Sequence, residues 1–181
     1  SSDAIHAFDT TCSDAVIVGA NYFYDEDEDA LFDASWMLEE AIVGDADFFD
    51  VANRADVILN VTSCSPWNKV FRLKRILDNE LCFQSINRAN DVLLISSALM
   101  CCNRVAFVKE KSVAHRDHSE SLQGTDTGAG LEFYQALLAV KSFIDSRDGF
   151  EKFITSFSRM AYRFIEDKIW NAKNTEICEI L

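Results

Sequence analysis

Ala15-Val-Ile-Val18 is the stretch whose reading decides the fold. Valine and isoleucine are branched at Cβ, stiff at χ1 and well suited to a pleated surface. Taken as strands together with Val57-Ile-Leu59 and Val105-Ala-Phe-Val108, these runs give an α/β fold. Taken as part of a helix within residues 2–24, they leave the chain all-α. The sequence around them argues for the helix.

The clearest periodicity lies further along. Phe150, Phe153, Ile154, Phe157, Met160, Ala161, Phe164 and Ile165 recur at the three-and-four spacing of one helical stripe, with Arg159, Arg163 and Lys168 opposite. Asp148-Gly-Phe-Glu151 has the form of a capping box at its start. Leu131 to Arg147 is apolar on more than one face, through Phe133, Leu137, Val140 and Ile144 widened by Tyr134 and Leu138, so that helix must be buried nearly all round. Ile86 to Val108 reads the same way.

Two buried helices need others to cover them. Ala30 to Val43 places Leu31, Ala34, Leu38, Ala41 and Ile42 on one side and ends at Gly44. Asp47 caps a stripe of Phe48, Val51, Ala52, Ala55, Ile58 and Leu59, and Ser65-Pro66 is a helix start for Trp67, Val70, Phe71, Leu73, Ile76 and Leu77. Only six glycines and one proline occur in 181 residues, where average usage supplies about a dozen and about nine. Strand-rich folds spend those residues on turns. The expectation is a single all-α domain over residues 1–181, a bundle of about six or seven helices with two largely buried at its centre. One polar loop, rich in Gly, Ser and His, spans residues 112–130.

Charge narrows the function. Seventeen Lys and Arg against thirty Asp and Glu give a net charge of −13. A phosphate backbone or an anionic membrane is repelled by such a surface, so no nucleic acid and no membrane is expected as a partner. The apolar run Val92 to Cys102 falls short of the roughly 20 residues of a membrane span. Six cysteines (Cys12, Cys64, Cys82, Cys101, Cys102, Cys178) and the glycosylation sequon Asn60-Val-Thr62 point towards secretion. A chain long enough to build its own core needs no disulfides, however, and Cys82, Cys101 and Cys102 sit among apolar neighbours. Free thiols, and with them a cytosolic setting, are the favoured reading.

The candidate chemistries each lack a part. Asp25-Glu-Asp-Glu-Asp29 with Asp33 begins like an EF-hand loop, but Ala30 stands where Gly is required and Trp36 where the bidentate Glu belongs. Asp25, Asp27 and Asp29 with Glu39 and Glu40 could instead serve a metal-dependent phosphohydrolase, if a facing acidic pair drawn from Asp78, Glu80 and Asp91 converged on them. The plainer reading is an acidic first turn favoured by the helix dipole. His115-Arg-Asp-His118 has no evident third zinc ligand and lacks the rest of a kinase catalytic loop. Gly124-Thr-Asp-Thr-Gly-Ala-Gly130 matches neither phosphate-binding glycine motif. No nucleophile signature surrounds any serine or cysteine. The sequence therefore assigns no catalytic, cofactor or metal residue.

What remains is an excess of phenylalanine, fourteen in all. More rings than one small core can hold suggest a groove or a cavity. The expected function is a non-catalytic interaction module whose acidic surface and aromatic helical groove bind another protein, basic or amphipathic-helical, through contacts weakened by salt. A carrier of an apolar small molecule or lipid is the alternative, the phosphohydrolase a second. A homodimer fits the pattern without being marked by it.

Overall fold

A mixed β-sheet runs through the molecule. The computed structural model describes residues 2–25, 27–117 and 131–170. In chain order these form α1 (Ser2–Thr11), β1 (Ala15–Tyr24), β2 (Asp27–Asp33), α2 (Glu40–Val43), β3 (Phe48–Asp50), β4 (Lys69–Phe71), α3 (Leu73–Asp78), α4 (Asp91–Cys101), β5 (Arg104–Asp117), α5 (Glu132–Asp145) and α6 (Ile154–Trp170).

The strand order is β2-β1-β5-β3, with β4 also paired to β1. β1 and β5 run parallel and form the centre, while β2, β3 and β4 pair antiparallel to them. β4 lies beside Ala15–Ile17 and β2 beside Asn21–Tyr24, so the two share one edge of β1.

Alternation along β1 and β5 divides the core into two layers. Val16, Val18 and Ala106 face α1, meeting Ala4, Ala7 and Phe8. Ala15, Ile17, Val105 and Phe107 face the other way, into the main core with Ile95 and Leu99 of α4, Leu137 and Val140 of α5, and Met160 of α6. Both faces are covered, so both must be apolar.

This overturns the all-α helical bundle. Ala15-Val-Ile-Val18 and Val105-Ala-Phe-Val108 are strands, paired residue for residue from Ala15↔Val105 to Val18↔Val108. A strand buried on both faces loses its two-residue alternation and cannot be told from a buried helix by periodicity. The helix expected over Ala30 to Val43 is instead the end of β2, a turn and the four residues of α2. Asp47 to Leu59 is β3 followed by 3-10 turns, the last of which holds Ile58–Asn60. Pro66 starts a tight turn rather than a helix, its carbonyl accepting from Lys69 N at 3.1 Å just before β4. Ile86 to Val108 divides into α4 and the first part of β5. The expected helices over 131–147 and 150–165 are present as α5 and α6.

Buried polar ties join the layers. Asp14 accepts from Asn103 N at 2.7 Å and pairs with Arg75 Nε at 3.0 Å. Ser156 of α6 accepts at Oγ from Leu59 N at 2.7 Å, and its carbonyl accepts from Asn60 Nδ2 at 3.2 Å. No helix among the described residues is long and apolar enough to cross a membrane.

Candidate active site

The site begins where β1 and β5 lose register. After Val18↔Val108 the pairing slips to Gly19↔Lys111 and then to Ala20↔Val113, before running regularly to Tyr24↔Asp117. The extra residues of β5 press against Gly19, where an added Cβ would meet the Lys109 carbonyl oxygen at 2.5 Å. Only glycine allows that approach. Beyond the slip, Tyr22 lies beside His115 and Tyr24 beside Asp117.

Neighbouring segments add rings to that face. β2 places Phe32 directly across from Tyr22, and their rings stack at 5.3 Å. The turn Ser35–Met37 brings Trp36 to 5.2 Å from Tyr22. Trp67, next to the single proline, lies parallel on His115 at 5.1 Å. Asn68 secures this corner: it is 1% exposed, and its Nδ2 donates to Val18 O and Met37 O, each at 2.8 Å.

Tyr22, Tyr24, Trp36, Trp67, His115 and Asp117 line an open cavity of about 360 Å³ whose wall also includes Ser65, Pro66 and Asp91. A larger cavity of about 730 Å³ shares Trp36, Ser65 and Asp91 with it and extends towards Phe133, Met160, Arg163 and Phe164. Asp91, the first residue of α4, thus sits where the two meet. Burial pushes its carboxyl above the ordinary 3.8, while its own backbone N–H, Lys69 and the Val92 N–H pull the other way. Lys69 donates from Nζ to Ser65 O at 2.6 Å and to Asn68 Oδ1 at 2.7 Å, and burial lowers its amine to about 7. A carboxylate of raised basicity facing an aromatic cavity can accept a proton from a bound hydroxyl.

The described side chains of the acidic cluster singled out from the sequence are dispersed. Asp25 forms a two-pronged pair with Arg116 of β5. Asp27 and Asp29 lie within β2. Glu39 pairs with Arg163 of α6 at 3.3 Å, and Glu40 is exposed at the start of α2. Of the proposed facing acids, Asp78 pairs with Lys74 at 2.7 Å, and Asp91 is at the cavity junction. Among the described residues no group of three or more His, Cys, Asp or Glu is arranged to hold a metal ion.

The remaining candidates fall in several places. His115 is in the cavity wall, whereas His118 and Gly124–Gly130 lie outside the described residues, as does the 118–130 part of the expected loop. Residues 112–117 of that loop complete β5. Asn60, the sequon asparagine, is 5% exposed and is engaged with α6, and Thr62 donates to Met37 O at 2.7 Å. Cys12, Cys64, Cys82, Cys101 and Cys102 are free thiols, with Cys12 and Cys82 exposed. Much of the phenylalanine is structural: Phe133 and Phe153 are buried, and Phe49 meets Phe107 edge to face at 4.9 Å. Sequence reasoning missed Tyr22, Tyr24, Trp36 and Trp67. Tyr22 and Tyr24 stand two apart directly after a β-branched run, and that alternation was the available signal.

No protein-family model and no curated protein matches the chain. Solved structures do match. The crystal structure of S. aureus TarS 1-349 in complex with UDP-GlcNAc aligns over 95% of this chain with a TM-score of 0.60 and 16% identity, and the alignment covers 45% of that chain. TarS 1-349 in complex with UDP aligns over 91% with a TM-score of 0.57 and 18% identity, covering 41% of that chain. The fold of this chain resembles that of part of these TarS chains. The chain spans less than half the length of these TarS chains.

Proposed function

We propose that this chain carries the acceptor side of a glycosyl-transfer site. The observation behind the reading is the Asp91 carboxylate, made more basic by burial and set at the junction of two cavities, one of them walled by Trp36, Trp67, Tyr22 and Tyr24. Aromatic faces take the C–H faces of a sugar ring, and the phenol and indole edges supply polar partners for its hydroxyls. The likeness of fold to TarS, crystallised with UDP and UDP-GlcNAc, lends support.

In this reading a sugar hydroxyl enters the smaller cavity and donates to Asp91. The acceptor oxygen bonds to the anomeric carbon of a nucleotide-activated sugar. The bond from that carbon to phosphate oxygen breaks with its electron pair, releasing the nucleoside diphosphate, and the hydroxyl proton passes to Asp91. The composition alone suggests a non-catalytic interaction module, yet a basic carboxylate beside an aromatic cavity favours chemistry over passive docking.

The test is sugar transfer from a nucleotide-activated donor to saccharide acceptors by wild-type protein and by Asp91→Asn. The substitution is expected to lower transfer by about two to four orders of magnitude, the range of a general base, with saccharide binding retained. The acid limb of the wild-type pH profile should lie above the ordinary carboxylate value of 3.8. Because the Lys69 charge lowers the Asp91 value, Lys69→Met should move that limb to higher pH. Transfer at the wild-type rate by Asp91→Asn would overturn the reading.

A further inference from the structure

The aromatic surface does not end at the cavity. Tyr22 is its hub, with ring centroids 5.2 Å from Trp36, 5.3 Å from Phe32 and 5.5 Å from Tyr24, and Phe32 lies 5.7 Å from Tyr24. Tyr22, Tyr24 and Trp36 line the cavity, whereas Phe32 is outside it, across from Tyr22 on the neighbouring strand β2. Tyr24, Phe32 and Trp36 are 42%, 41% and 45% exposed. Rings of this size are ordinarily buried for their large apolar area. Here three remain open to solvent in one strip that continues into the cavity beside Asp91.

The charges beside the strip are already matched. Asp33, which follows Phe32, pairs with Lys111 at 2.9 Å, and Asp25, which follows Tyr24, pairs with Arg116. Among the described residues, the ionisable groups of the smaller cavity, apart from the two phenols, are Asp91, Asp117 and His115, with no lysine or arginine. An anionic ligand would face two carboxylates on a chain of net charge −13. A neutral ligand with alternating apolar faces and hydroxyl edges meets no such penalty.

Resting on the glycosyl-transfer reading, we infer that the acceptor is an uncharged oligosaccharide, its reacting end at Asp91 and its following sugars stacked along Trp36, Tyr22, Tyr24 and Phe32. Phe32 forms the outermost subsite. It touches neither the base nor the first sugar, so it contributes only when the acceptor is long enough to reach it.

Isothermal titration with neutral glucose- and N-acetylglucosamine-series saccharides, from monosaccharide to tetrasaccharide, tests this alongside uronate oligosaccharides of equal length. Affinity for one neutral series should rise by about tenfold or more with length, a factor equivalent to one further favourable contact. Phe32→Ala should remove that gain and leave monosaccharide affinity as it was, and uronate chains should bind more weakly. Length-independent affinity, tighter uronate binding, or an equal loss for short and long saccharides in Phe32→Ala overturns the inference, and the glycosyl-transfer reading survives provided Trp67→Ala still abolishes monosaccharide binding. Failure of every saccharide to bind overturns the underlying reading together with this one.

Discussion

The indole of Trp67 lies face to face on the imidazole of His115, centroids 5.1 Å apart and planes 12° from parallel. The first belongs to the turn before β4 and the second to the displaced half of β5, so the contact closes one wall of the cavity across the sheet. Trp67 also packs with Tyr22 and Val113 against Ala20, Ala34 and Met37. Removing the imidazole with His115→Ala should cost about 1 kcal/mol, the usual worth of an aromatic pair. The near-ultraviolet circular dichroism of the indole should change with it. An unchanged spectrum and unchanged melting temperature would show that the stack does not order the wall.

Gly19 is the position at which the two central strands can slip. A methyl group there meets three backbone atoms, Lys109 O at 2.5 Å, Lys109 C at 3.2 Å and Glu110 O at 3.3 Å, and none of these is a flexible side-chain end. Gly19→Ala should therefore destabilise the protein by about 1–3 kcal/mol, as overpacking does. Denaturant unfolding measures it. Wild-type stability would mean that β5 can move aside freely.

Asn68 donates to two carbonyls, Val18 O of β1 and Met37 O of the Ser35–Met37 turn, the second of which also accepts from the Thr62 hydroxyl at 2.7 Å. Asn68→Leu leaves Val18 O and Met37 O buried without the side-chain amide and takes the Oδ1 acceptor from Lys69. Met37 O keeps the Thr62 hydroxyl, so Val18 O bears the main loss. A buried carbonyl that loses its donor costs about 1–3 kcal/mol, and a loss in that range should appear in the same unfolding experiment. The melting temperature should fall by about 2–4 °C for each kcal/mol lost in a chain of this size.

How much of this was legible in the sequence depends on where each element's partners lie. α5 was readable as a helix but not as buried nearly all round, since Tyr134 and Leu138 face solvent. α6 was readable because a helix with one solvated face prints its own period, as Phe153, Phe157, Met160 and Phe164 do. β1 was not, because Val16 and Val18 serve one core layer while Ala15 and Ile17 serve the other, leaving no polar position to mark the alternation. Ser65-Pro66-Trp67 carries a genuine helix-start pattern, but tertiary pairing of Lys69–Phe71 with β1 overrides it. The site was less legible still. Trp36, Trp67, Asp91 and His115 come from separate segments that only the strand register brings together, and no local motif joins them. The acidic run Asp25–Asp29 drew attention because it is contiguous, yet Asp25 is spent on Arg116.

Lys69 gives the protein a measurable pH signature. Its folded amine titrates near 7 through burial, against an ordinary 10.5. Above about 7 the unfolded chain therefore holds a proton that the folded chain has lost, and stability rises with pH. From about 9 the opposite sign enters, because burial pushes the Cys64 thiol from its ordinary 9.0 up to about 11 and pushes Cys102 up as well. Folded thiols then keep protons that unfolded ones release, and stability falls. Unfolding free energy should climb between pH 7 and pH 9 in the wild type, and Lys69→Met should flatten that climb. A flat wild-type profile would contradict the burial of this amine.

Saccharide titration followed by the indole N–H resonances of the three tryptophans tests the central claim most directly. Trp36 and Trp67 both line the cavity. Saturable shifts of Trp36 and Trp67 are expected, and Asp91→Asn should retain them. Trp36 and Trp67 signals that stay fixed at every saccharide concentration would contradict the claim.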